Sequence, residues 1–398
     1  MPATGLPWWN GRTLHVANGT LRIGGATVES LARAHATPLY VYHGAQVLER
    51  LRELRAALAG AGLVERIYYA LKANRFAPLV DVLRQEGGVG IDACSPREVA
   101  FALEAGFSPA EISVTASCLT LRDLTFLAES GCHLNLDTVP AIQRYAALRP
   151  RENRIGLRVD AGIETGYGVN EKTSYARGKL GLLPQDFDEA LRVATGQGLS
   201  VDTVHTHLGW GLRATDDADV ARAFALVAGL AERVPGLATI NVGGGLGGRL
   251  LEGDAPLEPR RWAQLIADAF GHLGVTIACE PGTFLVAEAG ALVVEVASVW
   301  QKNGVHWVGV DANFGTNVYA AHYGLPLEMI VARAPLGDAT RTYSIAGNVN
   351  ESGDVFARDR ALPAVEAGDL LVLFPAGAYG SSMSSDHCLR GNFTEVLA

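Results

Sequence analysis

Two alternating patterns organise the chain. Short apolar runs rich in β-branched and aromatic residues read as buried strands. Between them, apolar residues return every three or four positions, the spacing of a helix face. The runs are RIYYAL (66–71), GVGIDA (88–93), EISVTA (111–116), HLNLD (133–137), RIGLRVD (154–160), TVHTHL (203–208), TINV (239–242) and TIACE (276–280). Helical spacing occupies 76–86, 97–105, 121–131, 138–148, 185–197, 217–234 and 258–273. Strands alternating with helices over about 215 residues predict a (β/α)8 TIM barrel, whose usual size is about 250 residues. An open doubly wound sheet is the competing architecture, and repetition alone does not separate the two.

The two ends of the chain follow another pattern. RTLHVA and TLRIGG alternate around Asn18-Gly19, a two-residue hairpin signal, and PLYVY (38–42) is a further short strand. Beyond about residue 285 the helical spacing stops. ALVVEVASVW, HWVGVDA, EMIVARA, RTYSIAG and DLLVLF read as strands parted by Gly, Pro and Asp, so a C-terminal all-β domain is expected. The expected division is a hairpin at 1–35 packing with the β domain, a barrel at 36–284 and the β domain at 285–398. The connection from Ala161 to about Pro184 has no strong periodicity, and a loop of that length usually has a function.

Composition narrows the classes. Hydrophobic residues are 48% and charged residues 19%, which excludes a mainly disordered chain. No uninterrupted apolar stretch reaches the length of a membrane helix. Lys and Arg number 33 against 42 Asp and Glu, a net −9 with no dense basic run, so nucleic acid is a poor partner. The five cysteines are scattered with no CxxC or CxxxH spacing, which indicates neither a zinc site nor a disulfide framework. The segment MPATGLPWWNGR lacks a basic stretch followed by an apolar one, and a soluble cytoplasmic protein is expected.

Barrel chemistry gathers where the strands end at their C-terminal side. The residues there are Lys72, Asp92, Thr115-Ala116, Asp137, Arg158, His207, Gly243-Gly244-Gly245 and Glu280. A purely structural barrel has no need of ionisable groups directly after apolar strands, and this set suits an anionic cofactor. Lys72 follows Tyr68-Tyr69-Ala70-Leu71. Alone it reads as a snorkelling lysine, but in a poorly solvated pocket its amine can form a Schiff base with an aldehyde. GGGLGG (243–248) fits a dinucleotide fingerprint, yet no helix opens directly after it, and a phosphate held by backbone N–H groups is the better reading. His205 and His207 share one side of a strand, a spacing open to a metal, to a ring packed on a flat cofactor or to a core histidine. Glu280, in ACEPG, is either a loop carboxylate or a buried acid facing a basic nitrogen.

Taken in order, YYALKAN, GIDACSPREVAFALEAGF, RIGLRVD, HTHLGWG, NVGGGLGG, EPGTFLVAEAG, VDANF, ESGDVFARDRALP and PAGAYGSSM resemble the fold-type III pyridoxal-phosphate decarboxylases. These are the diaminopimelate, ornithine and arginine decarboxylases, and the diaminopimelate branch is nearest. The resemblance spans about residue 36 to the end. It implies an alanine-racemase-like barrel with a β domain, pyridoxal 5′-phosphate as cofactor, and decarboxylation of an amino acid or amino-acid conjugate. A racemase and a decarboxylating transaminase are the alternatives that use the same cofactor. A metal-dependent hydrolase and a non-catalytic cofactor-binding protein are the others. Lys72 would carry the covalent imine, His207 would stack on the pyridine ring and Glu280 would face its nitrogen. Gly243, Gly244, Gly245, Gly282 and Tyr379 would surround the phosphate. Asp92 and Arg158 would sit behind the ring. Glu351 and Asp354, with Tyr323 and Tyr379, would come from the β-domain end. The ESGD segment implies a homodimer with shared sites.

Four departures stand inside this pattern. Trp210 replaces a Ser three residues after the stacking His. Thr283 replaces the Arg after EPG, and Tyr319 falls where a second Arg for a distal carboxylate belongs. Asn350 replaces the Cys that donates a proton to the α-carbon, so that proton would have to come from water, Lys72, a tyrosine such as Tyr323 or another group. The cofactor residues are retained while the substrate residues change, which predicts an altered substrate and a poor fit for diaminopimelate. Arg177 or Lys179 in the long connection is the possible substitute partner for a carboxylate.

Overall fold

The computed structural model describes residues 6–167 and 178–398. Eight parallel strands close into a barrel: Glu65–Ala70, Val89–Ala93, Ile112–Thr115, His133–Leu136, Arg154–Val159, Ser200–Thr206, Thr239–Asn241 and Thr276–Cys279. Closure is direct, because the eighth strand pairs with the first at Ile277↔Glu65 and Cys279↔Ile67. The doubly wound alternative is therefore excluded. Every apolar run singled out above is one of these strands, each a residue or a few from its expected limits.

Helices follow the first seven strands, from Ala77–Glu86 to Pro259–Phe270. The eighth place in the ring is taken by Gly44–Gly60, a helix missing from the expected set, which precedes the first strand. Its buried Val47, Leu51, Leu54 and Leu58 form one stripe at helical spacing. It packs on Pro259–Phe270 and so lets the chain leave the eighth strand for the β domain.

The β domain is an eight-stranded sheet built around the long strand Gly290–Lys302. The first half of that strand pairs with Leu370–Phe374 on one side and Leu39–Tyr42 on the other, and its second half pairs with Val305–Val310. Leu39–Tyr42, inside the range assigned to the barrel, thus lies in this sheet instead. All four of its side chains are buried, which suits a central strand rather than an edge. Val355–Leu362 and Thr394–Leu397 are strands outside the expected set. The helices also do not stop at 285, because Val318–Tyr323 forms a short one within the β domain. The hairpin Leu14–Ala17 with Thr20–Ile23 turns at Asn18 and Gly19, both at positive φ, as a type I′ turn demands. Leu14, Leu21 and Ile23 are fully buried in a core shared with Val41, Val293 and Val372.

Barrel and β domain meet tightest at Gly377. A Cβ there would lie 1.8 Å from the Val286 carbonyl oxygen. The Gly377 N–H donates to Ala287 O at 3.0 Å, and its own carbonyl accepts from Asn74 Nδ2 at 2.9 Å. No backbone adjustment of a few tenths of an ångström relieves such an overlap. Gly377→Ala should lower the stability of the chain by about 2 kcal/mol or more, read as a fall in the urea midpoint. Gly229→Ala is the control, because its Cβ meets nothing within 4 Å, and it should leave the midpoint unchanged or raise it slightly.

Candidate active site

A polar column rises through the barrel interior to its C-terminal rim. Asn135 Nδ2 donates to Ser113 Oγ and Thr115 Oγ1, at 3.1 and 2.9 Å. The Thr115 hydroxyl lies 3.4 Å from Glu280 Oε1. Glu280 also accepts from Asn241 Nδ2 at 2.8 Å, and His205 Nε2 lies 3.2 Å from both of its oxygens. Burial alone pushes the Glu280 carboxyl up, but His205 beside it, then Lys72 and His207, hold it down at about 2. His205 is itself held below its usual value by burial, so it serves as a neutral N–H donor to the carboxylate.

Lys72 sits in the single 3-10 turn, Leu71–Ala73, that follows the first strand. Its Nζ lies 3.1 Å from Asp92 Oδ2 and 3.2 Å from Cys94 Sγ. Desolvation works to lower the pKa of this amine. The Asp92 charge, followed by Cys94, outweighs desolvation and holds the pKa well above the usual lysine range. Burial, then Glu280, pushes the Asp92 carboxyl up to about 7 against the pull of Lys72. The turn is clamped from the β domain: Tyr379 N–H donates to Ala73 O at 2.7 Å, and Ser382 Oγ donates to Lys72 O at 2.8 Å.

A cavity of about 220 Å³ opens over these groups. Of the residues expected in the site, Lys72, His207, Gly244, Gly245, Glu280, Gly282, Thr283, Tyr319, Tyr323 and Tyr379 line it. Three others stand behind the lining. Asp92 is fully buried against Lys72, Gly243 accepts the Glu280 N–H at 2.8 Å, and Arg158 is buried opposite His205 in strand register. His207 Nδ1 accepts the Gly244 N–H at 3.0 Å, which leaves the ring hydrogen on Nε2. Burial, then Arg158 and Lys72, keeps His207 well below the usual histidine range and therefore neutral.

Three expected residues are not brought to this cavity. Asn350 and Glu351 are exposed, and Glu351 lies 3.6 Å from His387. Asp354, expected to touch substrate, instead fastens its own loop: its carboxylate accepts the N–H groups of Phe314 and Val349 at 2.7 and 3.0 Å. Of the two basic candidates in the long connection, Lys179 is exposed and Arg177 lies outside the described residues.

Cys94, Asn241 and Asn135 were missed in the sequence, whereas Thr115 stands among the strand-end residues expected at the rim. The signal for Asn241 and Asn135 is a polar residue at an inward position of an otherwise apolar barrel strand. Cys94 is set by Glu98, whose carboxylate accepts the Cys94 N–H at 2.6 Å. His205, left open between metal ligand and core residue, is a partner of Glu280.

A family model described as pyridoxal-dependent decarboxylase, pyridoxal binding domain, matches residues 44–287. A diaminopimelate decarboxylase of Methanothermobacter thermautotrophicus is 34% identical over 389 residues, covering 95% of this chain and 90% of the relative. The diaminopimelate decarboxylase of Escherichia coli K12 is 32% identical, covering 93% of this chain and 91% of its own. Among solved structures, diaminopimelate decarboxylase from Helicobacter pylori complexed with L-lysine has a TM-score of 0.85 at 27% identity, covering 93% of each chain.

The Lys72–Asp92 pair yields a pH test with a definite sign. Asp92→Asn removes the largest influence that opposes desolvation, so the Lys72 pKa should fall. The pH midpoint for its arylation by fluorodinitrobenzene, mapped by mass spectrometry on the cofactor-free protein, should move down. A midpoint unchanged or raised would mean that Asp92 does not control this amine.

Proposed function

This chain belongs to the pyridoxal-dependent decarboxylase family, and we propose that within it the enzyme removes the α-carboxylate of an amino acid or amino-acid conjugate other than diaminopimelate. It is a pyridoxal-phosphate-dependent carboxy-lyase. The residues present fit that cofactor. A Cβ at Gly244 would lie 2.6 Å from Glu280 O, and one at Gly282 would lie 3.0 Å from Ala73 Cβ, so bare backbone lines the place of a bulky anion. Asp92 Oδ1 is buried with no hydrogen-bond partner, an acceptor left over beside the amine.

Pyridoxal phosphate, when bound, supplies the sink for the electron pair released as CO₂ departs. The side chains do the rest. Lys72 would provide the amine that holds the cofactor's aldehyde, and Asp92, 3.1 Å from its Nζ, would orient it. Glu280 meets a basic nitrogen as a carboxylate, because His205 and Asn241 hold it ionised. His207 offers a neutral ring of fixed tautomer. One observation carries the reading: a single cavity at the rim holds both Lys72, paired to Asp92, and a buried, ionised Glu280.

Thr283 and Tyr319 line that cavity, and among its described lining residues Lys72 is the only Lys or Arg. A distal carboxylate left without a cationic partner costs several kcal/mol, roughly a thousandfold in rate or affinity. The names of the relatives favour a second reading, decarboxylation of diaminopimelate itself. Exposure of Asn350 and Glu351 supports a homodimer in which they act in a partner's site. The five cysteines are all free thiols, which suits the reducing cytoplasm.

Borohydride reduction of the holoenzyme should fix the pyridoxyl group on Lys72, and Lys72→Ala should lose essentially all CO₂ release from a panel of amino acids and acyl conjugates. meso-Diaminopimelate should turn over at least about a hundredfold more slowly than the best panel member. Efficient lysine formation would decide for the second reading. Mixing inactive Lys72→Ala and Glu351→Ala chains should restore part of the activity through hybrid dimers. A mixture that exchanges subunits yet stays inactive would sink the shared site.

A further inference from the structure

The turn that carries Lys72 is held by one short stretch of the β domain, residues 379–382. Tyr379 N–H donates to Ala73 O at 2.7 Å, and Ser382 Oγ donates to Lys72 O at 2.8 Å. That stretch does not hold itself. Tyr379 has a φ of 59°, in the left-handed region that strains any residue with a bulky side chain. Such a conformation persists only where the surroundings fix it.

The surroundings are two tyrosines of the strand Leu39–Tyr42. Tyr40 and Tyr42 lie two apart and so share one face, their ring centroids 6.2 Å apart and their planes within 11° of parallel. Both are fully buried. Gly380 is pressed against the first: a Cβ there would lie 2.7 Å from the Tyr40 hydroxyl oxygen, and that hydroxyl donates to Thr316 O at 2.8 Å. Ser381 Oγ lies 2.9 Å from the hydroxyl of the second, Tyr42. Residues 379 to 382 thus meet, in turn, Ala73, Tyr40, Tyr42 and Lys72.

The last strand of the chain sets how Tyr42 is used. Thr394–Leu397 pairs in parallel with Leu39–Tyr42, Glu395 standing opposite Tyr40. Glu395 Oε1 accepts the Tyr42 hydroxyl hydrogen at 2.8 Å. A tyrosine has one such hydrogen, so Ser381 is the donor in the second bond and the Tyr42 oxygen its acceptor. Burial, then Glu395, holds Tyr42 well above the usual tyrosine range, so the hydrogen stays in place at neutral pH. Without the carboxylate the Tyr42 hydrogen has no fixed direction, and Ser381 loses a fixed acceptor.

We propose that Glu395 is a positioning residue for the reaction: through Tyr42 and Ser381 it fixes the 379–382 stretch, and with it the place of the Lys72 amine. The inference rests on the reading in which Lys72 is the reactive amine, and adds to that site a residue of the last strand.

The test is amide hydrogen exchange in the cofactor-free protein, beside CO₂ release by the holoenzyme from the best member of the amino-acid panel. In Glu395→Ala the Tyr379 amide should exchange at least about tenfold faster, while the barrel strand Thr276–Cys279 keeps its wild-type rate. The kcat should fall roughly 10- to 100-fold, the range that a displaced reactive group produces, with KM within about threefold. Glu395→Gln keeps a carbonyl oxygen that accepts from Tyr42, and should return exchange and kcat to within about threefold of wild type. Tyr42→Phe should match Glu395→Ala, and the double variant should be no slower than either, because both remove one relay. A Glu395→Ala protein of lowered stability that keeps wild-type Tyr379 exchange and kcat overturns the proposal, as does a double variant whose losses add. Should Glu395→Ala not fold, Tyr42→Phe alone carries the same readings, and wild-type values for it overturn the proposal. A holoenzyme whose Lys72 takes no pyridoxyl group on borohydride reduction fails at the decarboxylase reading instead, whatever the exchange shows.

Discussion

The site is organised by a carboxylate buried in the mouth of the barrel. Glu280 is only 5% exposed, and an isolated carboxylate at that depth would take up a proton. It stays ionised because His205, Asn241 and Thr115 converge on it from three other strands. Each of those side chains points inward from a barrel strand, where an ordinary barrel packs Val, Ile or Leu. The polar column thus gives up some apolar packing to fix one negative charge, and the charge in turn sets which basic group can bind above it.

A second constraint ties the reactive amine to a different part of the chain. Lys72 ends a barrel strand, yet the backbone around it is held by Tyr379 and Ser382, roughly three hundred residues later. Asn74 completes the clamp through Gly377 O, and Gly377 has room for nothing larger than hydrogen. The β domain is therefore part of the wall of the Lys72 cavity. It closes the cavity with Tyr319, Tyr323 and Tyr379 and fixes the turn that carries Lys72.

The barrel was legible because its strands are short, apolar and separated by helices, and because ionisable residues directly follow most of them. The residues at the rim were legible for the same reason. Gly44–Gly60 carries a clear helical stripe, but a strand-then-helix repeat does not ask for a helix before its first strand. Val355–Leu362 was hidden because it is only partly covered, with Arg358 and Asp359 facing solvent. Asp354 was misplaced because a carboxylate in a loop reads alike whether it meets a ligand or backbone N–H groups. The pairing of His205 with Glu280 joins residues 75 apart in sequence, and only the parallel pairing of the sixth, seventh and eighth strands brings them together.

A Glu280 that is ionised beside the cofactor would hold its ring nitrogen protonated, and the ¹⁵N resonance of ring-labelled pyridoxal phosphate bound to the enzyme reads that proton. At neutral pH the wild-type chain should give a protonated pyridinium nitrogen. Glu280→Gln should shift it to the neutral position, with the cofactor still bound to Lys72. A neutral ring nitrogen in the wild-type enzyme, or no change on removing the Glu280 charge, would mean that Glu280 does not hold that proton.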